Sequence, residues 1–218
     1  MNLEVDFIKR FRWSLLIFVI LVVATVILCV LAAIHSNFPG DEVVLRKFQE
    51  FENPRLTIAA RTVTILGDKE IVVTSVLAVA GILWAVGRRR ESIAALLLLV
   101  SESLGLLSKA LIDRPRPEFI LFPPGSDTGA FPSGHAIHAI LFFGFLMFLV
   151  MNNTKSRSLK IGVLITLPLI ILSVGVSRIY LGFHWPSDVL GGYIFGSVCL
   201  WILLWAVNLC KREFVAMR

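Results

Sequence analysis

Charge is scarce in this chain. Only 17% of its 218 residues are Asp, Glu, Lys or Arg, against roughly a quarter in soluble domains. Hydrophobic residues make up 57% and come in blocks, which excludes an ordinary soluble domain and leaves one membrane domain spanning residues 1–218. Cysteine is scarce too. Cys29, Cys199 and Cys210 fall in or at the edge of apolar runs, show no metal-ligand spacing, and read as small buried hydrophobes. No group of carboxylates, or of Cys and His, offers a metal cage, so chemistry without a metal or other cofactor is expected. Internal repeats and paired broken helices, the marks of many transporters, are absent as well. A formal charge of +6 would suggest nucleic acid in a soluble chain. Here the basic residues sit at the ends of apolar runs, so they report orientation, and no nucleic-acid partner is expected.

Six apolar runs are present, over residues 13–34, 71–86, 93–112, 136–151, 161–176 and 189–209. The first is longer than a signal-peptide core of about 7–15 residues and is read as a retained span. A bilayer crossing needs roughly 17–25 residues, so the shorter runs must extend into their flanks. The expected fold is all-α: a polytopic membrane protein of six transmembrane helices. Between the first two runs lies a polar interlude, 35–70. Within it Val44, Leu45, Phe48 and Phe51 have helical spacing, and Asn53-Pro54 reads as an N-cap followed by proline at the first helical position. Two short amphipathic helices at the membrane surface are expected there, the second closed by Gly67.

Orientation follows from Lys and Arg in short loops. Lys9, Arg10 and Arg12, Arg88 to Arg90, Lys155, Arg157 and Lys160, and Lys211, Arg212 and Arg218 fall on one side. The expectation is an integral protein of the plasma (inner) membrane with both termini in the cytoplasm. Most of the acids, among them Asp41, Asp68, Glu118, Asp127 and Asp188, fall on the opposite, outward side. Three polar clusters share that outward side.

The first cluster runs from Lys109 through Arg114 to Arg116-Pro117, at the end of the third run. Lys and Arg at an interface commonly snorkel, but cations crowded this closely repel unless an anion holds them. The second is Pro132-Ser133-Gly134-His135, just ahead of the fourth run. A Gly-containing loop that enters a helix offers free N–H groups at the positive end of the dipole; Ser133 adds a hydroxyl and His135 a proton. His138, one turn on, reads as a packed helix residue. The third cluster is Ser177-Arg178 with His184 and Asp188, four apart around Trp185-Pro186. If Pro186 opens the last helix, Asp188 comes within reach of His184, fixes its tautomer, and leaves the other nitrogen free to attack. Cations, backbone donors, a nucleophile with its orienter and a second histidine together suit phosphoryl transfer, where positioning and charge stabilisation dominate.

These clusters resemble the signature of the type 2 phosphatidic acid phosphatase family, related to the vanadium haloperoxidases: Lys-x6-Arg-Pro, Pro-Ser-Gly-His and Ser-Arg-x5-His-x3-Asp. Lys109 with Arg116-Pro117, Pro132 to His135, and Ser177-Arg178 with His184 and Asp188 meet it in order. The resemblance implies a haloperoxidase-like helical core and a lipid phosphatase. By that resemblance His184 attacks phosphorus, Asp188 orients it, and His135 protonates the leaving group. Lys109, Arg116, Ser133, Gly134 and Arg178 would hold the phosphate oxygens. Arg114, outside the strict signature, is expected to support the site from behind or to touch a diphosphate. Glu102, within the third run between Ser101 and Ser103, is costly in a membrane and so a functional candidate. It either pairs with a basic or polar group in the bundle or packs as a protonated side chain. Membrane lipids are the surroundings and a lipid phosphate or diphosphate the substrate, with undecaprenyl diphosphate favoured by family analogy. Phosphatidylglycerophosphate or phosphatidate hydrolysis and lipid phosphotransfer are the alternatives within the class, and a small anion transporter the rival outside it.

Overall fold

The computed structural model describes residues 2–118 and 129–216, with side chains over 12–118 and 129–207. Asp127, and the side chains of Lys9, Arg10, Cys210, Lys211, Arg212 and Arg218, lie outside that description. Among the described residues the regular structure is helical: α1 (Asn2–Ile34), α2 (Asp41–Glu50), α3 (Pro54–Thr64) with a 3-10 turn (Ile65–Gly67), α4 (Lys69–Ala85), α5 (Arg89–Ile112), α6 (Gly134–Asn153), α7 (Arg157–Tyr180) and α8 (Pro186–Ala216).

Five of these, α1, α5, α6, α7 and α8, are long and apolar enough to cross a bilayer. The sixth expected span, 71–86, is the 17-residue α4. At 1.5 Å per residue it reaches ~25 Å, at the lower limit of the roughly 17–25 residues a crossing needs, and it runs away from the end of the bundle where Asp68 meets His135. Helices α6, α7 and α8 outrun their apolar blocks at both ends, and α1 and α5 only at their starts, because helix boundaries follow caps and turns as well as hydropathy. Lipid-facing side chains are large and apolar, for example Trp13, Ile17, Leu106 and Leu169. For a soluble protein such a surface would be an aggregation hazard; in hydrocarbon it is the expected exterior.

Helix α6 is the axis of the bundle. Over half of its spanning window is buried, 56%, against 28% or less in the other spans. Ile137, Ala139, Leu141, Phe143 and Phe145 of α6 form the core with Leu98 of α5, Val174 of α7 and Leu203 of α8. Helix α8 lies close along α6 because glycines face it. A Cβ on Gly192 would stand 2.6 Å from the Ser133 carbonyl oxygen, and one on Gly196 3.1 Å from that of Ile137. That close approach brings the start of α8 against the start of α6.

The interlude forms the two expected short helices. Asn53 caps α3, its side chain accepting from the Arg55 N–H at 2.8 Å, with Pro54 in the first position. Helix α2 ends at Glu50, so Phe51 lies beyond it and is 72% exposed, while Leu45 is buried. Both helices sit at the end of the bundle where α5 and α7 finish and α6 and α8 begin. Tyr180, at the end of α7, receives the Asn53 N–H at 3.2 Å and bonds the Thr57 hydroxyl at 3.0 Å.

Candidate active site

The first cluster straddles the end of α5. Lys109 lies in its last turn, and the chain leaves through Asp113 in the left-handed region (φ 44°) into two prolines that forbid further helix. Lys109 is buried, and its ammonium donates to the Gly129 carbonyl at 3.2 Å. Arg116 donates to the Phe183 carbonyl at 2.9 Å. Arg178, in the last turn of α7, donates to Thr64 Oγ1 at 2.9 Å and lies over the Phe183 ring, 4.2 Å from its centroid. One residue thus braces two cations, Phe183 through its carbonyl and its ring. No composition or spacing signal marks it. Burial foremost holds the Arg116 guanidinium below its ordinary range, and the charge of Asp188 opposes that shift.

Ser133 caps α6 with its backbone. Its N–H donates to the Asp188 carbonyl at 3.0 Å, pinning the start of α6 to the first turn of α8. The Ser133 hydroxyl is buried and, among the described residues, has no hydrogen-bond partner. The first N–H groups of a helix also lack intrahelical partners, so the 133–136 segment presents donors beside three cations. His135 follows at once, and its Nε2 lies 3.2 Å from Asp68 Oδ1. Asp68 precedes α4 yet does not cap it with its side chain. The carboxylate is turned instead to His135, and the hydrogen bond from that ring, the largest cause, holds Asp68 below the usual carboxylate range despite burial. Gly67 completes the seat, since a Cβ there would stand 2.5 Å from the His135 ring.

Pro186 opens α8, as the sequence indicates. His184 and Asp188 are both buried, with Nδ1 3.5 Å from Oδ2. At that separation Nδ1 faces the carboxylate without a hydrogen bond. Active-site contacts of this kind often tighten only around a substrate. Asp188 is held from behind: Oδ2 accepts the Trp185 N–H at 2.9 Å, and Oδ1 accepts from Arg114 Nη1. Burial foremost, with the charges of Lys109, Arg178, Arg116 and His135 adding to it, lowers the His184 imidazole well below its ordinary range. Its ring is therefore neutral near pH 7, with a lone pair to offer.

Eight of the sequence-derived residues therefore converge: Lys109, Arg116, Ser133, Gly134, His135, Arg178, His184 and Asp188. Two do not join them. Arg114 is fully buried and donates to the Ser36 carbonyl, Ser187, Asp188 and Asp41; of its two expected roles the geometry gives support from behind, with no opening toward a diphosphate. Glu102 lies deeper in the bundle and bonds His138, Oε1 to Nδ1, at 2.9 Å. His138 is buried and stacked on Phe142, so it packs as expected but also carries a polar partner. Asp41, Asp68 and Thr64 were missed by sequence reasoning. An acid or threonine at a helix end is ordinary, and nothing local distinguishes these.

Comparison with known proteins agrees with this arrangement. The chain is 29% identical over 178 residues to phosphatidylglycerophosphatase B of Bacillus subtilis (strain 168), a match spanning 79% of this chain and 86% of that protein. It is 35% identical over 141 residues to the putative undecaprenyl-diphosphatase YbjG of Escherichia coli (strain K12), covering 60% and 65%. Among solved structures it resembles the transmembrane PAP2 type phosphatidylglycerolphosphate phosphatase from Bacillus subtilis, with TM-score 0.75 and 28% identity over 85% of this chain and 93% of that one. Aquifex aeolicus LpxE shares the fold, with TM-score 0.58 and 24% identity over 74% and 92%. A family model described as the PAP2 superfamily matches residues 90–212, the stretch that holds all three clusters. Motifs, helical architecture and family match agree, and this integral membrane chain belongs to the PAP2 superfamily.

Proposed function

We propose that the protein is a lipid phosphatase that removes a terminal phosphate through a phosphohistidine. The observation that carries the reading is the meeting of a buried, neutral His184 with three cations and the donor-rich start of α6. In the proposed reaction Nε2 of His184 attacks phosphorus, since Nδ1 faces Asp188. The phosphorus–oxygen bond to the lipid breaks, and His135 gives that oxygen its proton. Water then attacks the phosphohistidine, His135 takes a proton from it, and phosphate leaves with the His184 ring restored. Lys109, Arg116, Arg178, the Ser133 hydroxyl and the N–H groups of 134–136 would hold the nonbridging oxygens, whose charge is spread in the transition state.

An amphiphilic substrate needs an apolar path beside the charged site. An open groove of about 510 Å³ between α2, α3 and α7 is lined by Phe48, Leu56, Val63, Leu172 and Val176, and Ser177, the neighbour of Arg178 in the chain, also lines it. This supports a lipid over a soluble phosphate ester. For the lipid itself we favour undecaprenyl diphosphate, which has support in the similarity to the Escherichia coli protein. Phosphatidylglycerophosphate is the second reading, favoured by the longer match to the Bacillus subtilis relative. The site is proposed to face outward, with both termini in the cytoplasm. A single cysteine at Glu52, exposed between α2 and α3, should then react with an impermeant reagent in intact cells. Reaction only after permeabilisation would invert the orientation.

The test of activity uses purified protein in detergent with a chelator present. Phosphate release from undecaprenyl diphosphate and from phosphatidylglycerophosphate is compared, and His184→Ala should abolish both while the helical circular dichroism persists. Release that survives His184→Ala sinks the mechanism, and release that requires added divalent metal sinks its metal-independence.

A further inference from the structure

Asp41 lies outside the stretch that the family model matches, 90–212. It opens α2, where an acid is ordinary. Its surroundings are not ordinary. Asp41 is 4% exposed. Its Oδ1 accepts the Ser187 N–H at 3.0 Å. Its Oδ2 accepts the Ser187 hydroxyl at 2.6 Å, the Phe38 N–H at 2.8 Å and Arg114 Nη2 at 3.0 Å. Arg114 reaches onward, Nη1 donating to Ser187 Oγ at 2.8 Å and to Asp188 Oδ1. Its Nε is taken by the Ser36 carbonyl at 3.1 Å, and its plane lies over the Phe38 ring, 4.4 Å from the centroid. The side chains of Arg114 and Asp188 are 0% exposed. Asp41, Ser187, Arg114 and Asp188 thus form one closed network behind His184.

The charges in that network matter as much as the geometry. Arg114 with Asp188 alone would be a neutral pair, its cation cancelling the charge that faces the imidazole. With Asp41 added, two carboxylates share one guanidinium, and the sum is a single negative charge. Phosphorylation at Nε2 makes the imidazole ring a cation with its proton on Nδ1, so it needs that charge. A buried cation left without a counter-charge is expensive.

We infer that Asp41 is a positioning residue for the nucleophile. Through Arg114 and Ser187 it fixes the carboxylate of Asp188 and leaves net negative charge beside His184. The inference rests on the phosphohistidine reading given above. It also assigns a task to the interlude: α2 brings one carboxylate to the back of the site.

The test compares wild type, His184→Ala, Asp41→Asn, Arg114→Gln and Asp41→Asn/Arg114→Gln in detergent, on whichever of the two lipids turns over faster. Asp41→Asn should lower kcat roughly 10- to 100-fold, the range seen when outer partners of metal-bound histidines are removed. KM, and competitive inhibition by inorganic phosphate, should stay within about twofold because the phosphate-holding cations are untouched. In the Arg114→Gln background Asp41→Asn should cost much less than in wild type, a few-fold at most, since most of its effect passes through that side chain and only the Ser187 contact is left. Wild-type kcat in Asp41→Asn overturns the inference. So do losses that multiply in the double variant, or a fall in kcat matched by an equal loss of phosphate inhibition, which would mark Asp41 as a prop for the fold. If Arg114→Gln does not fold, the split between kcat and phosphate inhibition in Asp41→Asn decides alone. Activity in His184→Ala would sink the phosphohistidine reading itself, whatever Asp41→Asn does.

Discussion

Two histidine–carboxylate pairs face each other across this site, and they are built differently. The side chains of His184 and Asp188 are 2% and 0% exposed, and Asp188 is clamped by Arg114 and the Trp185 N–H. Those of His135 and Asp68 are 19% and 44% exposed, joined by one bond of 3.2 Å. A nucleophile has to arrive on one line and stay desolvated, which rigid burial provides. An acid that gives up a proton and regains it in each cycle needs contact with water. The proposed roles of the two histidines therefore match their surroundings as well as their motifs. A third pair, Glu102 with His138, is bonded at 2.9 Å inside the bundle, with His138 stacked on Phe142, a packing arrangement.

The sharpest test of this contrast is the nucleophile. His184→Asn should lower kcat by roughly 10⁴-fold or more, as loss of a covalent catalyst does, measured by phosphate release. Comparable activity in His184→Asn and His135→Asn would collapse the distinction between the pairs. For His135→Asn the loss should be roughly 10²- to 10⁴-fold on a lipid phosphate, and much smaller on an ester with a good leaving group such as a nitrophenyl phosphate, which needs no proton. Equal losses on both would show that His135 does not serve as the acid.

Asp68→Asn should follow the same pattern at reduced size, about tenfold or less, because its carboxylate is partly solvated and its bond is screened. The pH profile adds an independent check. His184 is lowered well below 6.5, so it stays neutral as pH falls through that value, and the acid limb of kcat/KM should lie below it. An acid limb at or above 6.5 that Asp68→Asn leaves in place would point to a solvated nucleophile. The smallest catalytic effect should come from Glu102→Gln, which keeps a hydrogen bond to His138. Its kcat should be close to wild type, with thermal stability in detergent lowered by about 1 kcal/mol. A large loss of kcat there would mean that the deep pair couples to the site.

Much of this was legible before any coordinates. The three motifs carry residue types that phosphoryl transfer requires, and proline and glycine mark several of the helix boundaries. Pro186 and the Asn53-Pro54 cap open helices as their chemistry dictates. The count of spans was less legible, because α4 is apolar enough and yet only 17 residues long. At that length it sits at the lower limit for a crossing. Which of its two expected roles Arg114 fills could not be read, since an arginine beside the signature looks the same whether it meets a ligand or a buried carboxylate.

The sequence by itself determined the membrane setting, the helical class and the residues able to handle phosphate. Those follow from composition and from spacing within a single helix or loop, which are local properties. The tertiary structure alone decided that Asp68 stands behind His135 and that Asp41 stands behind Arg114 and Asp188. Asp68 is 67 residues from His135, and Asp41 is 146 residues from Ser187. Each is an unremarkable acid near a helix start until α2 and the turn before α4 pack onto the ends of α7, α6 and α8. Burial and proximity then give those acids their partners, and neither is a property of the chain until it has folded.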